Sequence, residues 1–61
     1  MGVELVVDDE KEFQEVEKDI YSYECNQAMT FSVYVRSTGQ SYHYETQWFP
    51  ETESWIPIPM R

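Results

Sequence analysis

Cys25 is the only cysteine in a chain of 61 residues, and this combination limits the possible folds more than any other feature. A chain of this length buries only about 60% of the surface that its unfolded form exposes. Small domains compensate with disulfides, a structural metal or association. One cysteine cannot form an internal disulfide, and Cys25 with the single His43 gives too few ligands for tetrahedral zinc. We therefore expect no cofactor or metal, and predict a homodimer or another obligate complex.

The net charge of −8, from twelve acidic and four basic residues, restricts the partners. Nucleic-acid binding depends on lysine and arginine, so direct binding is not expected, and an anionic membrane would repel the chain. No apolar run approaches the roughly 18 residues of a membrane span. The N-terminus lacks the pattern of a signal peptide, and an unpaired thiol is typical of a cytoplasmic protein. The expected partner is a larger protein with a basic surface.

The first third of the chain is an acidic head. Residues 1–19 contain eight carboxylates and two lysines, a net charge of −6. The β-branched and apolar residues 3–7 predict a short strand. Asp9 and Glu12 have the spacing of a capping box, which predicts that a helix begins there.

Apolar residues then recur at helical spacing, at Phe13, Val16 and Ile20. They predict a helix over residues 10–19. An extended conformation over residues 13–25 is the alternative, because the apolar stripe is narrow.

Alternation with a period of two predicts three strands, over residues 20–25, 29–36 and 41–49. A turn that contains Gly39 separates the last two. In the Pro-rich tail, residues 50–61, prolines exclude a helix or a central strand, so the tail is expected to be extended. The predicted fold is α+β in a single domain, residues 1–61: a three- to four-stranded antiparallel β-meander (20–49) with one short N-terminal helix.

The acidic head also provides candidate partner-binding residues. Spacings of four, three and four place four carboxylates on one helical stripe: Asp8, Glu12, Glu15 and Asp19. Such side chains are about 5–6 Å apart, near the roughly 6–7 Å between successive phosphates of an extended nucleic-acid strand. In size and charge the chain resembles small acidic inhibitors encoded by phages and other mobile elements. The resemblance implies an inhibitor or adaptor that blocks a nucleic-acid-processing or defence enzyme; the alternative is an ordinary solvated helix.

The second candidate surface is aromatic and apolar. Tyrosine, tryptophan and methionine are enriched in interface cores and hot spots. One face of a small sheet cannot bury all such residues of this chain, which predicts a shared or dimer interface formed by Tyr42, Tyr44, Trp48, Phe49, Trp55, Ile56, Ile58 and Met60.

The segment from Tyr21 to Ala28 resembles the opening knuckle of zinc-ribbon proteins, in which an aromatic strand leads into Cys-x-x-Cys. Ala28 stands where the second cysteine belongs, and no second cysteine pair follows. The resemblance covers about a third of the chain and implies a ribbon-like hairpin without metal, within an accessory subunit of a larger complex. Cys25 paired with His43 lacks an orienting third group and a cleft, so we predict no enzyme and no catalytic residues.

Overall fold

The computed structural model describes residues 2–60 as one helix packed on a four-stranded sheet. The elements are β1 Gly2–Val7, α1 Glu10–Ser22, β2 Thr30–Val35, β3 Gln40–Phe49 and β4 Ser54–Met60. The strands lie in the sheet in chain order; β1 is parallel to β2, whereas β2, β3 and β4 are antiparallel. The α+β prediction is confirmed. The purely antiparallel meander is corrected at β1.

The parallel pairing of β1 and β2 follows from the position of the helix between them. Parallel neighbours need a long crossover connection, and α1 provides it. The strand predicted over residues 20–25 is wrong, because Ile20 is buried as the last apolar residue of the helical stripe. Burial of that stripe overrides the alternation of Tyr21, Tyr23 and Cys25. Of the predicted strand, only Cys25 forms a bridge, to Trp55 of β4.

The helix begins at the predicted capping box. The backbone N–H of Glu12 donates to Asp9 Oδ1 at 2.9 Å, and Glu12 Oε1 accepts from the backbone N–H of Asp8 at 2.7 Å. The first contact satisfies a donor that a helix N-terminus leaves without an intrahelical partner, and the reciprocal contact holds the residue before the N-cap.

The core lies between α1 and one face of the sheet. Val33 and Val35 at its centre are 0% exposed. Phe13 of α1 stacks on Tyr42 of β3, with ring centroids 4.3 Å apart. The remaining buried apolar residues are Val7, Ile20, Met29, Phe31 and Tyr44. No helix, strand or loop among residues 2–60 covers the other face of the sheet, which we call the open face.

The Pro-rich tail forms β4, an edge strand. Pro57 lies opposite Thr46, and Pro59 lies opposite Tyr44. Thr46 and Tyr44 direct their backbone groups to β2, since Thr46 N–H donates to the Met29 carbonyl. Pro57 and Pro59 therefore direct their backbone groups away from β3. The N–H that each proline lacks would not have formed a hydrogen bond within the sheet.

The β3–β4 hairpin extends beyond the other strands, because β3 has ten residues and β2 has six. We call this projecting part, residues 47–56, the arm. Trp48 and Trp55 pair across its strands with ring centroids 5.7 Å apart. The arm contributes to an elongated molecule of 38 × 17 × 17 Å.

The capping box gives a prediction about stability. Asp9→Ala removes the acceptor for the Glu12 N–H, so the free energy of unfolding should fall by about 1 kcal/mol in urea denaturation. Asp19→Ala, an exposed late-helix control, should change it by less than about 0.5 kcal/mol. Equal effects of the two substitutions would contradict the cap.

Candidate functional site

Only two of the four carboxylates in the predicted acidic stripe are free of contacts within residues 2–60. Asp8 precedes the helix and forms an exposed ion pair with Arg36, whose Nη1 lies 3.4 Å from Asp8 Oδ1. Glu12 completes the capping box. Glu15 and Asp19 are exposed, and their side chains form no hydrogen bond or ion pair within residues 2–60. These two carboxylates remain available to a partner.

Helical geometry puts these carboxylates on one flank of α1. Successive residues are rotated by about 100°, so Glu12, Glu15 and Asp19 lie on one side of the buried stripe. Glu17 and Tyr21 lie on the other side, where both contact Tyr44 of β3. The acidic flank therefore faces the side of β1, the edge of the sheet away from β3.

A shallow apolar groove runs between this flank and β1. Its volume is about 300 Å³. Asp19 and Tyr23 line it from the helix end. Its other lining residues are Val3, Leu5, Val16, Ile20 and Phe31. Val3 and Leu5 are only half-buried, so the groove exposes apolar surface beside carboxylates.

The backbone of β1 forms the outer wall of this groove. The Val7 carbonyl accepts from the Arg36 N–H at 3.0 Å, so Val7 directs its backbone groups towards β2. In a parallel ladder these directions alternate. Gly2, Glu4 and Val6 therefore direct their N–H and C=O groups outward, and no strand within residues 2–60 pairs with that edge.

Two of the predicted interface residues belong to the core. Tyr44 is 3% exposed, and its hydroxyl donates to Glu17 Oε2 at 2.6 Å. Burial, followed by this hydrogen bond, raises the pKa of Tyr44 well above its usual 10.0. Tyr42 is half-buried against Phe13. Tyr42 and Tyr44 alternate with polar residues, as expected for a strand that is covered by a helix on one face.

The other predicted interface residues divide between the two faces of the sheet. Trp48 and Trp55 share the face of Tyr44, on the arm; Trp48 is 48% exposed, whereas Trp55 is half-buried beside Cys25. Four residues lie on the open face: Phe49, Ile56, Ile58 and Met60. With them on that face are Val6 and Tyr34, 57% and 43% exposed. The structure thus does not bring the eight residues into one surface.

Cys25 and His43 lie on opposite sides of the sheet. Cys25 packs against the core, and burial raises the pKa of its thiol. His43 is exposed on the open face, where Nδ1 is 3.1 Å from Ser32 Oγ. Residues 2–60 contain no cluster of metal-ligating side chains. The zinc-ribbon resemblance has no structural counterpart, because Tyr21 and Ser22 lie in α1 instead of a strand.

Comparison with protein families, curated proteins and solved structures found no match to this chain. Within the described part, no helix is long and apolar enough to cross a membrane.

The groove and the outer edge of β1 were missed at the sequence level. The available signal was a proline-free strand directly before a helix, which is the start of a βαβ unit. The alternation of residues 20–25 predicts a further strand after the helix. That strand would belong to the antiparallel meander, and its prediction obscured the parallel pairing of β1 with β2.

The contact between Tyr44 and Glu17 predicts a pH dependence. Because the folded state raises the pKa of Tyr44 above its unfolded value, the stability contributed by the protonated hydroxyl is present below about pH 10 and is lost at higher pH. Tyr44→Phe should lower the free energy of unfolding by about 1–2 kcal/mol at neutral pH. It should also reduce the loss of stability between about pH 9 and 12 in urea titrations. Tyr34→Phe, at an exposed site, is the control; an unchanged slope in Tyr44→Phe would refute the linkage.

Proposed function

We propose that this protein is a small acidic inhibitor or adaptor that binds a positively charged surface of a larger protein. The observation that carries the proposal is the lack of internal neutralisation. The net charge is −8, and the single salt bridge within residues 2–60 joins Arg36 to Asp8. Both side chains of that pair are mostly exposed, so it contributes little. The charge on the acidic flank thus remains to attract a basic partner.

The position of the charge favours a defined contact over general solubility. Lys11 and Lys18 lie on the solvent side of Glu15 and form no ion pair with it within residues 2–60, whereas Asp19 lies nearer the groove. The acidic flank also borders exposed apolar surface at Val3 and Leu5. Carboxylates next to an apolar groove combine electrostatic attraction with the desolvated contact area that affinity requires.

We further propose that the basic surface is one that binds DNA or RNA in a nucleic-acid-processing or defence enzyme. The two available carboxylates, Glu15 and Asp19, follow one line along α1 with Glu12 of the cap, at a spacing close to that of phosphates, about 6 Å. Such a row competes with a nucleic-acid backbone for lysine and arginine. The alternative accessory-subunit function gains no specific support, since the ribbon-like hairpin is absent from residues 2–60.

Association with a second copy is proposed through the open face near β4. Phe49, Ile56, Ile58 and Met60 lie there without a covering element among the described residues. Only Glu45 places an acidic group between them. A homodimer would remove this apolar strip from water and keep the acidic flanks apart.

The charge proposal predicts the effect of a double reversal. Glu15→Lys with Asp19→Lys should reduce capture of the partner from the native host by about tenfold or more, because it replaces attraction with repulsion. The control, Glu51→Lys with Glu53→Lys in the β3–β4 turn, changes the net charge equally. Quantitative mass spectrometry compares the three baits, and circular dichroism checks their folding.

The function requires two results from that comparison. First, a host protein must be captured by the wild type and by the control but not by the double reversal. Second, this host protein must bind DNA or RNA less well when the wild-type chain is added. Equal capture by all three baits, or an unaffected nucleic-acid complex, would refute the inhibitor.

The dimer proposal is tested by sedimentation equilibrium at micromolar concentration. Ile56→Lys with Ile58→Lys should produce a monomer, because each charge would be buried at the interface. Gln14→Lys with Ser22→Lys adds the same charge at exposed helix positions and should leave the dimer intact. A folded wild-type monomer would overturn the proposal.

A further inference from the structure

We propose that the outer edge of β1 accepts an extended segment of the partner as a fifth strand, and that this segment alternates basic and apolar residues. This inference rests on the proposed function, since it specifies how a basic partner is held. The site consists of the β1 edge and the adjoining groove. No other element of residues 2–60 occupies that edge.

The two edges of the sheet differ in their ability to accept a strand. At β4 the outward positions are Trp55, Pro57 and Pro59, and Trp55 already bridges to Cys25. Proline has no N–H to donate, so β4 is closed to strand addition. At β1 the outward positions are Gly2, Glu4 and Val6, each with an N–H and a C=O. Addition to such an edge supplies affinity through main-chain hydrogen bonds.

The groove selects alternate side chains of the added strand. Residues opposite Val3 and Leu5 point to the helix side, because side chains alternate between faces. They enter a space of about 300 Å³ that ends at Val16 and Ile20. Apolar side chains of valine or leucine size fit this lining and would complete the burial of β1.

The remaining side chains of the segment meet negative charge. Residues on the open side lie beside Glu4, which is exposed. Asp19 borders the groove on the helix side, so it adds to the negative charge near this edge without contacting the side chains on the open side. A lysine or arginine opposite Glu4 forms a favourable cross-strand pair, whereas an acidic residue there is repelled. Charge complementarity at Glu4, together with the net charge of −8, therefore favours a basic segment.

Charge also argues against a second copy of this chain at β1. Antiparallel self-pairing that uses every outward group puts Gly2 opposite Val6 and Glu4 opposite Glu4 of the other copy. Like charges directly opposite each other destabilise a strand pair. Each copy adds a net charge of −8 to the repulsion.

The experiment uses the full chain and a six-residue peptide that alternates valine and lysine. Amide hydrogen exchange by NMR should show slower exchange at Glu4 and Val6 when the peptide is added, since their outward N–H groups gain acceptors. We expect a dissociation constant below about 1 mM. The matched peptide that alternates valine and glutamate should give no protection.

Two changes test the backbone bonds separately from the side chains. Val6→Pro removes one outward donor and should weaken the valine–lysine peptide by about tenfold, while Val6→Ala retains the N–H and most of the affinity. The same peptide with alternate backbone nitrogens methylated leaves the protein intact and keeps all peptide side chains. Its loss of binding would support strand addition even if Val6→Pro failed to fold.

The outcomes distinguish this inference from the proposed function. Undiminished binding of the methylated peptide, or protection confined to residues outside β1, would overturn strand addition without affecting partner capture by Glu15 and Asp19. No protection at millimolar peptide would overturn it as well. Protection of Glu4 and Val6 that rises with protein concentration, without peptide, would show that a second copy occupies the edge and would also overturn it.

Discussion

The fold depends on burial of the narrow apolar stripe of α1 on one face of the sheet. Phe13, Val16 and Ile20 provide almost all that the helix can bury, and they meet Val33 and Val35 at the centre of the core. This contact holds α1 against the sheet. Because α1 connects β1 to β2 along the chain, it also allows these two strands to pair in parallel. The helix covers part of one face of the sheet. The parts of the sheet that α1 leaves exposed are the candidate binding surfaces of the molecule.

The limited width of the helix explains why polar contacts support the core at its margins. On the β3 side, Glu17 accepts the hydroxyl proton of Tyr44 and continues the contact beyond the apolar stripe. At the far end of the sheet, the buried Thr46 hydroxyl lies 2.7 Å from the Met29 nitrogen and accepts its N–H. On the β1 side, residues 2–60 form no equivalent polar contact, and the groove has Asp19 at its border. The asymmetry between these flanks is the structural basis of the proposed binding edge.

The proposed roles of charge and of apolar surface are physically separate in this molecule. The acidic flank and the β1 edge lie on one side, whereas the apolar strip on β4 lies on the open face at the opposite edge. A partner at β1 and a second copy at β4 therefore do not compete for the same residues. The two tryptophans of the arm, Trp48 and Trp55, stabilise each other across the hairpin. Trp48 is 48% exposed, whereas Trp55 is half-buried and bridges to Cys25.

The elements of this fold whose signals are local could be predicted from the amino-acid sequence. The capping box at Asp9 and Glu12, the strand that contains Phe31, Val33 and Val35, and the exclusion of the prolines from a central strand were predictable, because each depends on residues close in sequence. Of the candidate site, the exposed carboxylates Glu15 and Asp19 were predictable from helical spacing alone.

The neighbours of these elements depend on packing between residues that are distant in the sequence. Residues 20–25 carry both a helical stripe ending at Ile20 and an alternation of aromatic residues, and burial of Ile20 against the sheet decides between them. The same non-local packing puts Tyr42 and Tyr44 in the core, divides the remaining apolar residues between two faces, and leaves β1 as an open edge. Strand order and pairing direction depend on contacts between distant residues, which no local pattern in this chain specifies.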